Sequence, residues 1–155
     1  MSAIRYAGLA AIALGAAAFT VAPCAAAQGA TEKKLILPAD ATNKSPALAP
    51  GILVGNTLYL TGVTPSRTLR DSSVEVQTTE ALTKIRAVLQ AASMDYADVV
   101  AVTVYLADIN DFNAMNTAYA KLFTTDPRPT RTTVAVAALV GGAKLEITMT
   151  AVKTK

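Results

Sequence analysis

"DVVAVTVYLADINDFNAMNTAYAKLF", Asp98 to Phe123, is the stretch on which the architecture turns. Val99 to Leu106 is an almost uninterrupted β-branched and apolar run, which predicts a strand covered on both faces. The period then changes. Phe112, Met115, Tyr119 and Leu122 recur at spacings of three or four, predicting an amphipathic helix with Asn110 or Asp111 at its N-cap. Pro127 and Pro129 prevent that helix from continuing. A strand that feeds a helix and then another strand gives parallel neighbours, so this segment predicts a sheet with a crossover.

Working outward, "RTTVAVAALVGGAKLEITMTAVK", Arg131 to Lys153, holds two β-rich runs divided by Gly141-Gly142, the pattern of a hairpin. A tight turn there would set Glu146 opposite Ala137. Arg131 would then lie six positions farther on, roughly 20 Å away at about 3.3 Å per residue. The two could not share a small ligand within one hairpin, though they could meet across a subunit boundary. Upstream, "GILVGNTLYLTG" (Gly51 to Gly62) predicts a hairpin turning at Gly55-Asn56, with Leu58 and Leu60 on the core face. A helix is expected from about Val74 to Ser93, carrying Leu82, Ile85, Leu89 and Ala92 on one side. Ser72-Ser73-Val74-Glu75 offers it a capping box. "KLILP" (Lys34 to Pro38) reads as a short strand and "ADATNKSPALAP" (Ala39 to Pro50) as an extended loop. The order predicts an α+β domain: a mixed sheet with both helices on one face. The uncovered face is a reason to oligomerise.

The chain has 155 residues, a formal net charge of +3, one cysteine and no histidine. "MSAIRYAGLAAIALGAAAFTVAPCAAAQGA" carries Arg5, an apolar run from Tyr6 to about Val21, and the A-x-A pattern at Ala25-Ala26-Ala27. That is the anatomy of a cleaved secretory signal over residues 1–27, which predicts a periplasmic or secreted protein. A permanent anchor would want about 20 strongly apolar residues, and this run is shorter and rich in Ala and Gly. Pro23 directly before Cys24 argues against a lipoprotein signal, so Cys24 leaves with the leader and the net charge falls by Arg5 to +2. The remaining chain offers no thiol nucleophile, no disulfide and no histidine base or ligand, which excludes zinc and serine–histidine chemistry. No basic block points to nucleic acid, and no second apolar span points to a membrane. Residues 28–46 read as a flexible N-terminal segment with its short strand, followed by one domain over 47–155.

Two charged residues sit where β-formers prevail. Arg131 opens the strand in "DPRPTRTTVAVAAL" (Asp126 to Leu139) with no acidic neighbour in view. Position alone leaves three readings: a solvated strand end, a pair with a carboxylate of this chain, or a clamp for an anionic ligand. Chemistry favours the third, because the guanidinium fork matches a carboxylate and stays charged at any relevant pH. Glu146, between Leu145 and Ile147, either points to solvent or positions and activates water.

"VGNTLYLTG", "DVVAVTVYLADINDFNAMNTAYAKLF" and "RPTRTTVAVAAL…KLEITMTAV" together resemble the RidA/YjgF family of enamine/imine deaminases, in order and nearly gap-free from about Ala47 to Lys153. The resemblance implies a trimer of chorismate-mutase-like fold with sites in the clefts between subunits. It implies hydrolysis of 2-imino or 2-enamino acids to 2-oxo acids and ammonia, with no metal and no cofactor. On it, Arg131 falls on the arginine that grips the substrate carboxylate, and Glu146 on the glutamate that positions water. Asn116 matches an asparagine near the pocket, while Thr61 and Gly62 occupy a Ser-Gly position that contacts substrate. Three departures stand out: Leu48 and Pro50 replace a tyrosine and a glutamine, Val63 replaces another glutamine, and Thr133 sits where many members carry cysteine. One pocket wall is therefore more apolar. A non-catalytic trimer that binds small carboxylates such as 2-oxo acids, or a protein-interaction module, is the alternative.

Overall fold

The computed structural model describes residues 32–39, 41 and 47–153. The leader expected over residues 1–27 and most of the segment 28–46 lie outside them. Six strands and two helices follow in the order β1 (Lys33–Ile36), β2 (Gly51–Val54), β3 (Thr57–Leu60), α1 (Val74–Ala91), β4 (Val99–Leu106), α2 (Phe112–Ala120), β5 (Thr130–Ala135) and β6 (Leu145–Val152). They form one mixed sheet of order β1-β2-β3-β6-β4-β5. The hairpin at Gly55-Asn56 is present, with Val54 opposite Thr57, and β4 runs parallel to β5 across the α2 crossover.

The expected hairpin between the last two strands is not formed. β4 lies between β5 and β6, so Glu146 stands opposite Tyr105 of β4 rather than Ala137. The reason lies in the segment between them. β5 stops at Ala135, and the chain crosses the end of β4, where Val136 N–H donates to Leu106 and Ala107 N–H donates to Lys144. Gly141-Gly142 turns inside this crossing, both glycines at positive φ, rather than at a hairpin tip.

β4 also departs from its expected double cover. Val99, Val102, Val104 and Leu106 are buried, whereas Ala101, Thr103 and Tyr105 are only half-buried on the other face. An apolar run is ambiguous here because Thr and Tyr suit an open β-face as well as Val suits a closed one. Leu145, Ile147, Met149 and Ala151 of β6 alternate with half-buried Glu146, Thr148, Thr150 and Val152, so the same face is covered throughout. α1 and α2 pack against each other on that face, and α1 lies over β6 and β3. Leu58, Leu82, Ile85, Leu89, Leu106, Met115, Leu145 and Ile147 are fully buried between the layers. Each such side chain contributes roughly 1.5–3 kcal/mol.

The helix ends follow local chemistry. Ser73, not Ser72, caps α1 by accepting from Val76 N–H. α2 is preceded by a 3₁₀ turn over Ile109–Asp111 whose start is capped by Asp108, accepting from Asn110 N–H. The opposite sheet face keeps Leu35, Tyr59, Val100 and Val134 exposed. No helix among the described residues is long and apolar enough to cross a membrane.

Candidate active site

Arg131 and Thr133 occupy alternate positions of β5, opposite Val102 and Val104, and so face α2. The guanidinium does not reach solvent freely. Its Nη2 donates to Asn116 Oδ1 at 2.7 Å. The Tyr119 ring lies 4.6 Å below it and the Phe112 ring 5.8 Å away. Phe112, Asn116 and Tyr119 fall at i, i+4 and i+7, one stripe of α2, so a single helix face supplies two aromatic walls and an acceptor. Tyr119 is itself fixed by stacking on Phe123 at 4.3 Å and 12°. Cation–π contact of this kind is worth about 0.5–2 kcal/mol, depending on desolvation.

Among the described residues Arg131 forms no ion pair. One Nη2–H is used by Asn116, which leaves most of the five guanidinium donors available. The Tyr119 hydroxyl and Thr133 Oγ1 are both buried without a protein hydrogen-bond partner. Burial pushes the Tyr119 phenol up to about 12, the nearby Arg131 and Arg128 charges opposing it, so it stays neutral near pH 7.

Glu146 lies elsewhere. The pairing of β3 with β6 runs through Tyr59↔Thr150 and resumes at Val63↔Ile147, so the paired numbers sum to 209 before the break and 210 after it. One extra residue is therefore accommodated around Thr61-Gly62, a bulge of the kind that re-aims side chains beside sites. The bulge brings Gly62 under the Glu146 carboxylate, and a Cβ at position 62 would overlap that carboxylate. Thr61 N–H donates to Pro50 at 3.1 Å, which ties the Leu48–Pro50 segment to the same bulge; Leu48 is 66% exposed.

The seven predicted residues thus sort into two groups. Arg131, Asn116 and Thr133 meet on the helix side of β5. Glu146, Gly62 and Thr61 meet at the β3–β6 bulge, with Leu48 on the segment bonded to it. The two do not meet within one chain. Arg131 stands opposite Val102 and Glu146 opposite Tyr105. They are three residues apart along the strands and two strands across, roughly 14 Å between Cα atoms at about 3.3 and 4.8 Å per step. The odd offset puts them on opposite sheet faces. The separation is shorter than the hairpin would have given, and its cause is the intervening strand. Reading α2 as a purely amphipathic core helix missed Phe112 and Tyr119 as walls around Arg131. The signal was available in Asn116, a polar residue at helical spacing from both.

The family model described as Endoribonuclease L-PSP matches residues 39–153. The chain belongs to the RidA/YjgF family. A 2-iminobutanoate/2-iminopropanoate deaminase of Capra hircus is 39% identical over 120 residues, covering 72% of this chain and 87% of the goat protein. The chloroplastic Reactive Intermediate Deaminase A of Arabidopsis thaliana is 40% identical over 114 residues, covering 68% of this chain and 60% of the plant protein. A RutC family protein of Saccharolobus solfataricus is 36% identical over 126 residues, 79% of this chain and 99% of its own. Among solved structures, a conserved Rid family protein of unknown function from Yersinia pestis superposes with a TM-score of 0.71 at 28% identity, over 79% of this chain and all of that one. A YjgF family protein from Neisseria meningitidis gives 0.69 at 21% identity, over 81% of this chain and 98% of that one, a likeness of fold alone. The mixed sheet with two helices on one face is thus the RidA/YjgF fold.

Proposed function

We propose that this RidA/YjgF protein hydrolyses reactive 2-imino and 2-enamino acids to 2-oxo acids and ammonia, in sites shared between subunits of a homotrimer. The observation that carries the reading is Arg131: a guanidinium held in orientation by Asn116, Phe112 and Tyr119, with no carboxylate among the described residues paired to it. A 2-imino acid brings that carboxylate. With it fixed, Glu146 of a neighbouring subunit orients a water molecule and takes its proton as the oxygen adds to the iminium carbon. The proton is returned to nitrogen, and ammonia leaves as the carbonyl forms. Thr133 and the Thr61-Gly62 bulge supply the remaining polar contacts to substrate.

The relatives named as imine deaminases favour this chemistry over the ribonuclease wording of the family model. The chain has no histidine to serve as an RNA-cleaving base, and one guanidinium with one carboxylate suits imine hydrolysis. Replacing Arg131 by Ala is expected to abolish deamination of a freshly generated imino acid while the protein stays folded by circular dichroism. An undiminished rate would remove the proposal. A second reading, binding of 2-oxo acids without turnover, is favoured by one feature: Leu48, Pro50 and Val63 stand where the family places a tyrosine and two glutamines. Calorimetry with 2-oxobutanoate beside the turnover assay separates the two, since binding with no turnover selects the second.

The reading includes export. It rests on Arg5, the apolar run and Ala25-Ala26-Ala27, all outside the described residues. The N-terminus of the protein recovered from its native cell is expected near Gln28, and a retained Met1 would contradict export.

A further inference from the structure

The loop after the β3–β6 bulge and the Gly141-Gly142 crossing line a cavity of about 200 Å³ whose lining includes none of the predicted site residues. Thr64, Pro65 and Ser66 form one wall, Val140, Gly141 and Ala143 the other, and Arg67 and Arg70 line it together. The two guanidiniums embrace the glycine pair. Arg70 Nε donates to Gly141 O at 3.0 Å. A Cβ on Gly142 would come within 3.2 Å of that same nitrogen, and one on Gly141 within 3.4 Å of Arg67 Nε. Both glycines have positive φ, 70° and 71°, so the turn keeps its shape without strain only with glycine there.

The scaffold behind the cavity is rigid. Gln77, fully buried in the first turn of α1, donates to the carbonyls of Leu69, Arg70 and Ser72 and accepts from Lys144 N–H at 3.0 Å. Lys144 Nζ adds a bond to Ser72 O. One amide thus fixes both walls relative to each other. The charge is one-sided. Among the described residues neither Arg67 nor Arg70 forms an ion pair. Glu80, which bonds the lining residue Ser66, is engaged by Ser66 N–H, Ser66 Oγ–H and Lys84. Asp71 follows Arg70 in the chain but makes no ion pair.

We propose that this cavity is a second binding site, distinct from the Arg131 site, for a small phosphate-type oxyanion held on Arg67 and Arg70. Arg67 and Arg70 are exposed residues, and two guanidinium forks lining one cavity match the tetrahedral oxygens of such an anion. Exposed Val140 and buried Pro65 at its margin leave an apolar edge for a short organic substituent.

The test is calorimetric titration of the whole protein with inorganic phosphate at constant ionic strength. Saturable binding is expected in wild type and in Arg131→Ala, with affinity reduced at least tenfold in the Arg67→Ala/Arg70→Ala double variant. Because that double variant also loses the bond to Gly141 O, Val140→Glu is measured beside it. This change sits on a side chain 78% exposed, adds a carboxylate at the rim, and is expected to give a similar loss at unchanged melting temperature. No saturable binding in wild type, binding unaffected in both cavity variants, or binding abolished by Arg131→Ala would each overturn the proposal. The last outcome would place phosphate in the Arg131 site instead.

Discussion

Arg131 has its charge answered by two aromatic faces and an amide oxygen. That arrangement holds the side chain still without neutralising it, which a carboxylate partner would do. The physical consequence is pre-organisation: the entropy of ordering a long side chain is met before a ligand arrives. Tyr119 is the larger of the two walls by proximity, and its role separates cleanly into ring and hydroxyl. Tyr119→Phe is expected to leave KM for a 2-imino acid nearly unchanged. Tyr119→Leu is expected to raise KM about tenfold with a smaller change in kcat, the loss of about 1.4 kcal/mol of ground-state binding. Steady-state kinetics on both variants checks this, and equal KM values would show that the ring does not position the guanidinium.

Elements decide which side chains can meet. Arg131 and Glu146 stand out in the sequence as individual positions, because each breaks the pattern of its strand. Their arrangement does not. Gly141-Gly142 between two β-runs is the local signature of a hairpin, and nothing nearby signals that β4 will insert between them. That preference comes from β4 itself, whose Val102, Val104 and Leu106 are buried against partners on both edges. The bulge at Thr61-Gly62 was likewise invisible, since it appears only as a one-residue slip in pairing with a strand 84 or more positions away. The helices were read well because their periods are local: α1 begins at Val74 as expected and ends two residues short of Ser93, at Ala91.

The turn beyond α1 is secured by electrostatics. Arg86 donates to both Asp95 oxygens, at 2.9 and 2.7 Å, and these hydrogen bonds hold the Asp95 carboxyl below its usual range. A carboxylate depressed on folding contributes stability above its unfolded value of about 3.9, and that stability is lost as pH falls through the folded value. Asp95→Asn is therefore expected to flatten the decline in stability below about pH 4. Denaturant unfolding at several acidic pH values measures it, and an identical acid limb in the variant would contradict the assignment. The pair is partly exposed, so the effect is small.

At the scale of the whole molecule, Arg131 and Glu146 stand on opposite faces of one sheet. The open face presents Tyr59, Val100 and Val134 beside half-buried Thr103, Tyr105, Thr148 and Thr150, apolar enough to pack yet carrying hydroxyls. In the proposed trimer the Glu146 bulge of one chain would meet the Arg131 clamp of the next at the edge strand β5. The geometry of a closed ring then gives each copy one clamp facing one neighbour and one carboxylate facing the other.

Subunit mixing tests this most directly. Arg131→Ala and Glu146→Gln are each expected to be inactive alone. Unfolded together in equal amounts and refolded, they should recover about a quarter of wild-type turnover, because three in four random trimers are mixed and each mixed trimer rebuilds one site of three. A mixture as inactive as its parents, with mixed trimers confirmed by native mass spectrometry, would show that Arg131 and Glu146 do not complete one another across a subunit boundary.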